Sequence, residues 1–582
     1  MAVRRGVWIV LVLVIMAVAI SAMGLVAMAL LVGREPQVSG NSTLVLKIGG
    51  DLQEMEPSGV IGQFFEAPAT VRSVVESLRK AKVDRRIASV VIRPTSGAAL
   101  WGKVQEIRDA IIDFRGSGKP IVGYLEYGGE QEFYLASACD KVFLMPAASL
   151  DLTGMASYEL FLRGTLDKIG AFPDTLHIGE YKTASNTFTE HSFTPAHREM
   201  AESLNSDLYD QLIRGLADGR HKSEKEIRGL VDHGPFLPED AVRAGLVDDL
   251  AYEDELDDKV KLSKGETHFV SESDYRRVSA RSVGLNRGPR IAVIYATGVI
   301  ASGESNYDSP SGQVVGADTM VDSLRKARAD SSIKAIVLRI DSPGGSAIAS
   351  DVIWREVMLT RNTKPLVASM SDVAASGGYY IAMPAHAIVA EPATLTGSIG
   401  VVMLKFVIDG TLKKLGVNME GVGNGRYADL YSPVRAFSPE ERAKMMEQMQ
   451  ATYDTFVEKA AAGRNTTPER IDSVGQGRVW TGKQGKQIGL VDELGGLDRA
   501  LVIAKQRAKL APDSEVELVV YPGKKSIYDL VKNPFGASDR AATALGTLLG
   551  IGDPRAIQAI TAPLRVFRRG EPLAIMPNVF IR

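Results

Sequence analysis

Cysteine is almost absent from this chain, and histidine is scarce. The 582 residues include a single cysteine, Cys139, which excludes both an intrachain disulfide and a cysteine-based zinc cluster. The seven histidines include no His-Glu-x-x-His motif and no close pair, which argues against a histidine metal site. These counts therefore argue against a metal site built from cysteine or histidine.

The chain also lacks an excess of charge of either sign. Its 68 basic and 70 acidic residues leave a formal net charge of −2, so no global field attracts nucleic acid or holds the protein on anionic lipid. Charged residues make up 24% and hydrophobic residues 45%, which is typical of globular proteins. At this length, two or more domains are expected, and no nucleic-acid partner is expected.

One long uncharged run stands near the N-terminus. Residues 7–32 carry no charge over 26 positions, which exceeds the roughly 20 residues that a helix needs to cross a bilayer. We favour an uncleaved anchor in the bilayer. A cleaved leader is the weaker alternative, because its small-residue site, Ala27-Met-Ala29, would lie inside the run. Arg4 and Arg5 precede the run, so the positive-inside rule places the N-terminus in the cytoplasm and the body outside.

The rest of the chain contains the same pattern twice. The segment that begins at Ser77 (Ser-Leu-Arg-Lys-Ala) reappears at Ser323, an offset of 246 residues. The same offset relates residues 90–93 to 336–339 and residues 164–170 to 410–416. The sequence therefore predicts a tandem duplication.

Each copy alternates short β-branched runs with helical segments. The predicted helices are 70–82, 103–114, 317–329 and 349–360, and the predicted strands are 44–48, 88–92, 120–125, 141–144, 291–296, 335–340, 365–370 and 387–390. Such alternation predicts βαβ units around a mostly parallel sheet, an α/β fold. The predicted domains are an anchor and tether (1–38), an N-terminal domain (39–252), a linker (253–289), a C-terminal domain (290–512) and a tail of unknown role (513–582).

The two copies differ where chemistry is expected. The offset of 246 places Ser376 of the second copy on Glu130 of the first, and Lys182 of the first copy on Ala428 of the second. One copy thus keeps a serine and the other keeps a lysine. This asymmetry is what a serine–lysine site divided between two duplicated domains would leave.

Each candidate residue also has an ordinary structural interpretation. Ser376 follows a predicted strand at the start of a helix, where it is either an N-cap or an exposed nucleophile. Most lysines are solvated, but a buried Lys182 would have a lowered pKa and could act as a general base. Ser398 lies in a glycine turn of the serine-bearing copy only. Residues 340–346 (Ile-Asp-Ser-Pro-Gly-Gly-Ser) form either a simple turn or a backbone shelf that donates N–H groups to an oxyanion.

The joint order of these motifs carries a resemblance. With Asp341-Ser-Pro-Gly-Gly345, Ser376-Gly-Gly-Tyr379, Thr394-Leu-Thr-Gly-Ser398 and Tyr181-Lys182, the chain resembles the long tandem form of the signal peptide peptidase A (protease IV) family, in the Clp protease/crotonase-like fold group. The resemblance covers roughly residues 40–510 and adds the N-terminal anchor.

The resemblance implies roles for the candidate residues. Ser376 would be the nucleophile, Lys182 the general base, and Ser398 a hydroxyl that orients the lysine. The oxyanion hole would comprise backbone N–H groups of Gly377 and of Gly344 or Gly345. The resemblance also implies a bowl-shaped homo-oligomer, a tetramer, whose sites lie where N-half and C-half domains meet.

We therefore expect a serine endopeptidase with a Ser–Lys dyad that needs no metal or cofactor, anchored by one helix in a bacterial inner membrane with its body on the extracytoplasmic side. Its expected substrates are cleaved signal peptides and other apolar peptides. We further expect Ser376 and Lys182 of one site to belong to one chain, because covalent linkage gives a high effective concentration. Two alternatives remain open, an acyl-CoA enzyme of the crotonase-like fold and a catalytically silent membrane scaffold.

Overall fold

The computed structural model describes residues 16, 35–50, 52–55, 69–97, 99–260, 267–308, 312–523, 572–577 and 580–581. In this part of the chain, no helix has the length and apolar character required to cross a membrane. The predicted anchor, residues 7–32, lies outside the described residues except for Met16.

The N-terminal half is built around a parallel sheet. Its strands are β1 (Ser42–Gly50), β2 (Ile87–Gly97), β3 (Ile121–Leu125), β4 (Lys141–Leu144), β5 (Ser157–Tyr158), β6 (Phe172–Ile178), β7 (Asp249–Leu250) and β8 (His268–Ser271). Its helices are α1 (Val71–Val83), α2 (Trp101–Arg115), α3 (Glu130–Ala136), α4 (Arg163–Ile169), α5 (Asn186–Thr189), α6 (Pro195–Arg220), α7 (Glu224–Val231), α8 (Pro238–Arg243), α9 (Leu256–Val260) and α10 (Glu272–Arg276). The sheet order is β7-β4-β3-β2-β1-β8, and its central strands are buried on both faces.

The C-terminal half repeats this arrangement. Its strands are β9 (Arg290–Thr297), β10 (Val299–Ala301), β11 (Asn306–Asp308), β12 (Gly312–Gly316), β13 (Ile333–Ser342), β14 (Gly344–Ser346), β15 (Leu366–Ala375), β16 (Ala387–Ala390), β17 (Leu395–Gly397), β18 (Val401–Val407), β19 (Val479–Thr481), β20 (Glu493–Leu494), β21 (Glu517–Tyr521), β22 (Leu573–Ile575) and β23 (Phe580–Ile581). Its helices are α11 (Ala317–Ala329), α12 (Ala347–Arg361), α13 (Gly377–Ala382), α14 (Asp409–Lys414), α15 (Pro439–Arg464), α16 (Pro468–Val474), α17 (Gly482–Ile488) and α18 (Leu497–Arg507). The main sheet runs β19-β17-β15-β13-β9-β21, with β16 beside β15 and β20 beside β16.

The predicted α/β fold with a tandem duplication is confirmed. Corresponding strands occupy the same places in both sheets, since β1, β2, β3 and β4 are ordered as β9, β13, β15 and β16 are. The predicted helix at 317–329 and the predicted strands at 141–144 and 387–390 have the observed bounds. The repeated sequence therefore folds as a repeated sheet.

The structure differs from expectation at the end of each copy. Residues 253–289, expected to be a linker, contain β8, which pairs in parallel with β1. In the C-terminal half β21, which lies past residue 512, pairs in parallel with β9 in the same way. Each copy thus extends to a final edge strand, β8 in the N-terminal half and β21 in the C-terminal half.

A third sheet joins the two halves. Its order is β11-β12-β10-β14-β22-β18-β6, and β6 of the N-terminal half pairs antiparallel with β18 of the C-terminal half along seven residues, from Phe172 opposite Val407 to Ile178 opposite Val401. This joint fixes the chain that follows β6, which carries Lys182, against the C-terminal half.

Buried charges reinforce the same joint. The Arg339 guanidinium of β13 donates to the carboxylates of Glu54 and Glu106, and all three side chains are almost fully buried. Burial alone would raise the pKa of Glu54, but the guanidinium outweighs it and lowers that pKa to about 2. Breaking such a buried ionic cluster is strongly destabilising, so it holds the halves in one relative position.

Candidate active site

Ser376 lies at a sharp turn between a buried strand and a helix. It directly follows β15 and precedes α13, and its backbone has φ 55° and ψ −113°. A non-glycine residue in this conformation is strained by about 1–3 kcal/mol and persists only where its surroundings enforce it. Here the Ser376 N–H donates to the Gly397 carbonyl at 2.8 Å, and the Ser376 carbonyl accepts from the Tyr380 N–H at 2.8 Å. Its side chain makes no N-cap hydrogen bond, so the ordinary cap interpretation does not apply.

The two glycines after Ser376 are required by close packing. A Cβ on Gly377 would lie 2.6 Å from the Ser350 hydroxyl oxygen, and a Cβ on Gly378 would lie 2.6 Å from the Ser342 carbonyl oxygen. Both distances are shorter than real Cβ contacts. The sequence Ser-Gly-Gly therefore lets the first turn of α13 press against the end of β13, where the Pro-Gly-Gly turn begins.

Lys182 reaches Ser376 from the other half of the molecule. The Lys182 Nζ donates to the Ser376 Oγ at 2.8 Å, to the Ser398 carbonyl oxygen at 2.9 Å and to the Ser398 Oγ at 3.0 Å. All three side chains are at most 1% exposed. The structure thus brings together, within one chain, the three side chains that the sequence singled out.

The environment of Lys182 favours a neutral amine. None of its hydrogen-bond partners is a carboxylate, and no ion pair to it occurs among the described residues. Burial therefore lowers the pKa of Lys182 well below its ordinary value, because the charged form loses solvation and gains no counter-charge. A neutral amine in contact with a hydroxyl can accept its proton.

The stem of Lys182 passes through a channel lined by glycine. A Cβ on Gly477, whose φ is +78°, would lie 2.5 Å from the Lys182 backbone nitrogen, and a Cβ on Gly400 would lie 3.0 Å from the Lys182 Cδ. The Tyr181 N–H donates to the Gln476 carbonyl at 2.8 Å, which ties the loop that carries Lys182 to the turn at Gln476 and Gly477. Sequence reasoning missed Gly477, since a lone glycine 295 positions from the lysine carries no local signal.

Gly344 approaches Gly377 closely beside Ser376, and the narrow space between their backbones is called the gap below. A Cβ on Gly344, whose φ is +101°, would lie 2.7 Å from the Gly377 backbone nitrogen, so only glycine permits this approach. The Ser350 hydroxyl oxygen and the Ala574 carbonyl oxygen also border this gap, 2.6 and 3.2 Å from the position of a Cβ on Gly377. Backbone N–H groups at such a gap suit a developing negative charge on oxygen.

A second ionic network, also missed from sequence, joins α2 of the N-terminal half to β13 and β15 of the C-terminal half. The Lys103 Nζ of α2 lies 2.7 Å from an Asp341 carboxylate oxygen and 3.6 Å from an Asp372 carboxylate oxygen. Asp372 also accepts from the backbone N–H groups of Leu100 and Lys103, at 2.9 and 2.7 Å, and so caps α2 from the other half. Burial would lower the pKa of Lys103, but the two aspartates outweigh it and raise that pKa above its ordinary value.

The counterpart positions lack this chemistry. The Glu130 carboxylate accepts from the backbone N–H groups of Thr153 and Gly154, at 2.8 and 3.1 Å, and from the Thr153 hydroxyl at 3.2 Å. Ala428 is exposed in an irregular segment. Among the described residues, no group of three or more His, Cys, Asp and Glu side chains is arranged to hold a metal ion.

Comparison with known proteins matches this chain to peptidases. The model of peptidase family S49 matches residues 113–266 and 359–511, one match in each half. The chain is 37% identical over 490 residues to the chloroplastic serine protease SPPA of Arabidopsis thaliana, covering 83% of this chain and 72% of that protein. It is 34% identical over 560 residues to protease 4 of Salmonella typhi, covering 91% of this chain and 87% of that protein. Among solved structures, ClpP1 of Listeria monocytogenes matches 36% of this chain and 94% of its own, with 15% identity and a TM-score of 0.23.

Proposed function

The chain belongs to peptidase family S49 and is a serine peptidase, and on this premise we propose that it cleaves peptides with a dyad of Ser376 and Lys182. The observation that carries the proposal is the 2.8 Å contact between the Lys182 Nζ and the Ser376 Oγ in a site that excludes solvent and carboxylates. This distance lies within the roughly 2.6–3.2 Å needed for proton transfer. Family membership as a peptidase sets aside the acyl-CoA enzyme and the silent scaffold.

The proposed reaction follows from the geometry. Neutral Lys182 accepts the Ser376 hydroxyl proton while the oxygen attacks the peptide carbonyl carbon. The backbone N–H groups of Gly377 and of the Gly344–Gly345 pair stabilise the oxyanion. Protonated Lys182 then gives its proton to the departing amine, and water releases the acyl group by the reverse sequence. The Ser398 carbonyl and hydroxyl hold the amine in position throughout, which is a positioning role.

The experiment pairs each proposed catalytic residue with a matched control. Ser376→Ala and Lys182→Met should each lower kcat/KM for a fluorogenic apolar peptide by about 1000-fold or more, and Ser376→Ala should abolish labelling by a fluorophosphonate. Lys80→Met is the control for the lysine, because Lys80 is also buried with a pKa lowered by burial, but it donates only to the carbonyls of Tyr275, Arg276 and Val278. Ser323→Ala, in α11, is the control for the serine. Full activity in purified Ser376→Ala, or equal losses in Lys80→Met and Lys182→Met, would refute the dyad.

Apolar peptides are the proposed substrates, with cleaved signal peptides as one class. The support is an apolar cluster that includes Val373 and Ala375 of β15, directly before Ser376, together with Met200, Leu204 and Leu395. A peptide threaded past Ser376 would bury its side chains against these residues. A peptide series that varies only in hydrophobicity tests this, and faster hydrolysis of the polar members would contradict it.

We also propose that residues 7–32 anchor the enzyme in a bacterial inner membrane, with the body outside the cytoplasm. The support is the length of the uncharged run and the arginines before it. Deleting residues 1–34 should move the protein from the alkali-washed membrane fraction to the soluble fraction. Continued retention in the membrane fraction would refute an anchor in this segment.

The proposal of a homo-oligomer, a tetramer, rests on the segment of the C-terminal half that corresponds in sequence to β6. The offset of 246 places β6 on residues 418–424, which form no strand in the C-terminal half. Met419 and Val422 of this segment and the preceding Val417 are exposed, Val422 completely. Since β6 pairs with β18, residues 418–424 would pair with the N-terminal-half counterpart of β18 in a second molecule of this chain. Gln substitution of these three residues should reduce the assembly to monomers in detergent, and an unchanged mass would refute this contact.

A further inference from the structure

An open pocket in the C-terminal half collects positive charge. It lies where β15 and β16 begin, at the opposite edge of the sheet from Ser376, which follows the end of β15. The pocket has a volume of about 390 Å³. Its lining includes three cationic side chains and one imidazole, those of Arg361, Lys364, Arg507 and His386. Within the part of the chain that the structure describes, none of the three cations forms an ion pair with a carboxylate.

Backbone carbonyls hold the two arginines in place and leave most of their donors unused. The Arg361 Nη1 donates to the Pro384 carbonyl at 2.6 Å, and the Arg507 Nη2 donates to the His386 carbonyl at 2.8 Å. A guanidinium has five N–H donors, and no other hydrogen bond of either guanidinium occurs among the described residues. Both arginines are therefore positioned by the fold and still able to bind an anion.

The N-terminal half has the same framework at the same place. The Lys119 Nζ donates to the Ala81 and Asp84 carbonyls, and the Lys364 Nζ donates to the two carbonyls 246 positions farther along the chain. Each lysine directly precedes the proline that leads into a strand, β3 in the first copy and β15 in the second. The two copies thus build the same support, and a difference in charge between them comes from the other side chains.

The copies differ in the side chain beside the arginine. The offset of 246 places Arg115 on Arg361 and Asp140 on His386. In the first copy the Arg115 Nε donates to an Asp140 carboxylate oxygen at 2.9 Å. In the second copy an imidazole replaces the carboxylate, and Arg507 of α18 adds a further positive charge. Charge that is neutralised in the first copy is therefore left without a counter-charge in the second.

His386 keeps the backbone role of the aspartate and offers a donor in addition. The Leu366 N–H donates to the His386 Nδ1 at 3.1 Å, as the Ile121 N–H donates to Asp140 at the same distance. A neutral imidazole that accepts at Nδ1 carries its hydrogen on Nε2, and this N–H has no partner among the described residues. Burial and the two neighbouring guanidinium groups lower the pKa of His386 below its ordinary value, because both disfavour the charged ring.

We propose that this pocket binds a phosphate group, supplied either by inorganic phosphate and small phosphate esters or by a phospholipid headgroup. A guanidinium presents paired N–H donors that match two phosphate oxygens, and a lysine adds a point charge. Three cations and the imidazole N–H suit the charge and the several oxygens of a phosphate better than a carboxylate, which has one charge and two oxygens.

The proposed site is separate from the proposed catalytic dyad. The ten residues of β15 rise about 3.3 Å each, so about 30 Å separates the pocket from Ser376. A phosphate bound there does not contact the peptide. The inference therefore does not depend on the function proposed for Ser376 and Lys182, and either can fail alone.

The test is isothermal titration calorimetry of the full chain, purified in detergent, with inorganic phosphate at constant ionic strength. The wild type should bind one phosphate per chain with half-saturation at about 1 mM or below. Arg361→Gln and Arg507→Gln should each weaken binding by about 10-fold or more. His386→Asp should do the same, because it adds the counter-charge of the first copy while still accepting from the backbone. Arg115→Gln is the matched control and should bind as the wild type does, since Arg115 is already paired with Asp140.

A second titration distinguishes the two sources of phosphate. Its probe is glycerophosphoglycerol, the water-soluble headgroup of an anionic phospholipid, with zwitterionic glycerophosphocholine as the control. Tighter binding of inorganic phosphate assigns the site to free phosphates, and tighter binding of glycerophosphoglycerol assigns it to a lipid headgroup. Either result supports the proposal.

Three outcomes would overturn the proposal. The first is a wild-type chain that binds neither inorganic phosphate nor glycerophosphoglycerol. The second is unchanged binding in Arg507→Gln, a decisive variant because this arginine is exposed and its replacement leaves the core intact. The third is an equal loss of binding in Arg115→Gln, which would place the anion elsewhere. The unfolding temperature of each variant in phosphate-free buffer shows that a loss of binding is not a loss of folding.

Discussion

Gly477 is the residue whose replacement tests the site most sharply, because it contacts neither Ser376 nor the gap. In Gly477→Ala, the new Cβ would lie 2.5 Å from the Lys182 backbone nitrogen and 2.6 Å from the Lys182 Cα and Cβ. Ordinary van der Waals contact begins near 3.4 Å, so one of the two segments must move by about 1 Å. A displacement of this size in a catalytic group lowers the rate by about 100-fold.

The loss should appear in kcat rather than in KM. Lys182 is proposed to move a proton and not to hold the peptide, so substrate binding should change by less than about 3-fold. The assay is steady-state hydrolysis of a fluorogenic apolar peptide, normalised to the concentration of folded enzyme.

The matched control separates displacement from backbone strain. Gly477 has φ +78° and Gly489 has φ +89°, so alanine at either position costs about 1–2 kcal/mol of backbone strain. A Cβ on Gly489 would meet nothing within 4 Å. Gly489→Ala should therefore lose stability but keep its kcat. If Gly477→Ala keeps wild-type kcat, or if both variants lose it equally, the argument that the glycine channel positions Lys182 is wrong.

The remaining predictions concern two buried charged groups, Lys182 and Glu54. Burial lowers the pKa of Lys182, so kcat/KM should rise with pH through a pKa below the ordinary lysine value, and a profile that rises only near pH 10.4 would contradict a buried base. Between the folded and unfolded pKa values of Lys182, the unfolded chain binds more protons than the folded chain does, so the stability of the wild type should rise with pH in that range. Lys182→Met, which is expected to be inactive, should lack this rise and should unfold at a higher temperature than the wild type at neutral pH. Arg339 lowers the pKa of Glu54 to about 2, so this carboxylate contributes stability that is fully present above its ordinary pKa of 4.5 and is lost as the pH falls toward 2. Glu54→Gln should accordingly lower the free energy of unfolding by about 3 kcal/mol at neutral pH, as measured by thermal unfolding. The control is Glu76→Gln, because Glu76 is half-exposed. Equal unfolding midpoints for the two variants would contradict the structural role of the cluster.

Local patterns predicted the elements that hydrophobic periodicity determines. The helix at 317–329 and the strands at 141–144 and 387–390 follow directly from the spacing of apolar residues. Ser376, Lys182 and Ser398 emerged as candidates because the duplication exposes each position to comparison with its copy. The roles assigned to them remain proposals.

Long-range contacts were beyond sequence reasoning. The capping of α2 by Asp372 joins residues that lie 269–272 positions apart, and no local pattern marks such a pair. The insertion of β22 into the gap was also missed, because three residues in a tail rich in glycine and proline carry no periodic signal. Strand addition depends on backbone hydrogen bonds, which almost any side chains permit.

The joint between β6 and β18 has a consequence for biosynthesis. The proposed base and nucleophile are 194 residues apart, so a ribosome that adds about 5–20 residues per second makes Lys182 about 10–40 s before Ser376. During that interval the emerging chain holds the proposed base without the proposed nucleophile. Even after Ser376 is made, the lysine loop has no partner strand until β18 has been synthesised. The proposed dyad is therefore completed only after Val407 has been added, when β18 can pair with β6.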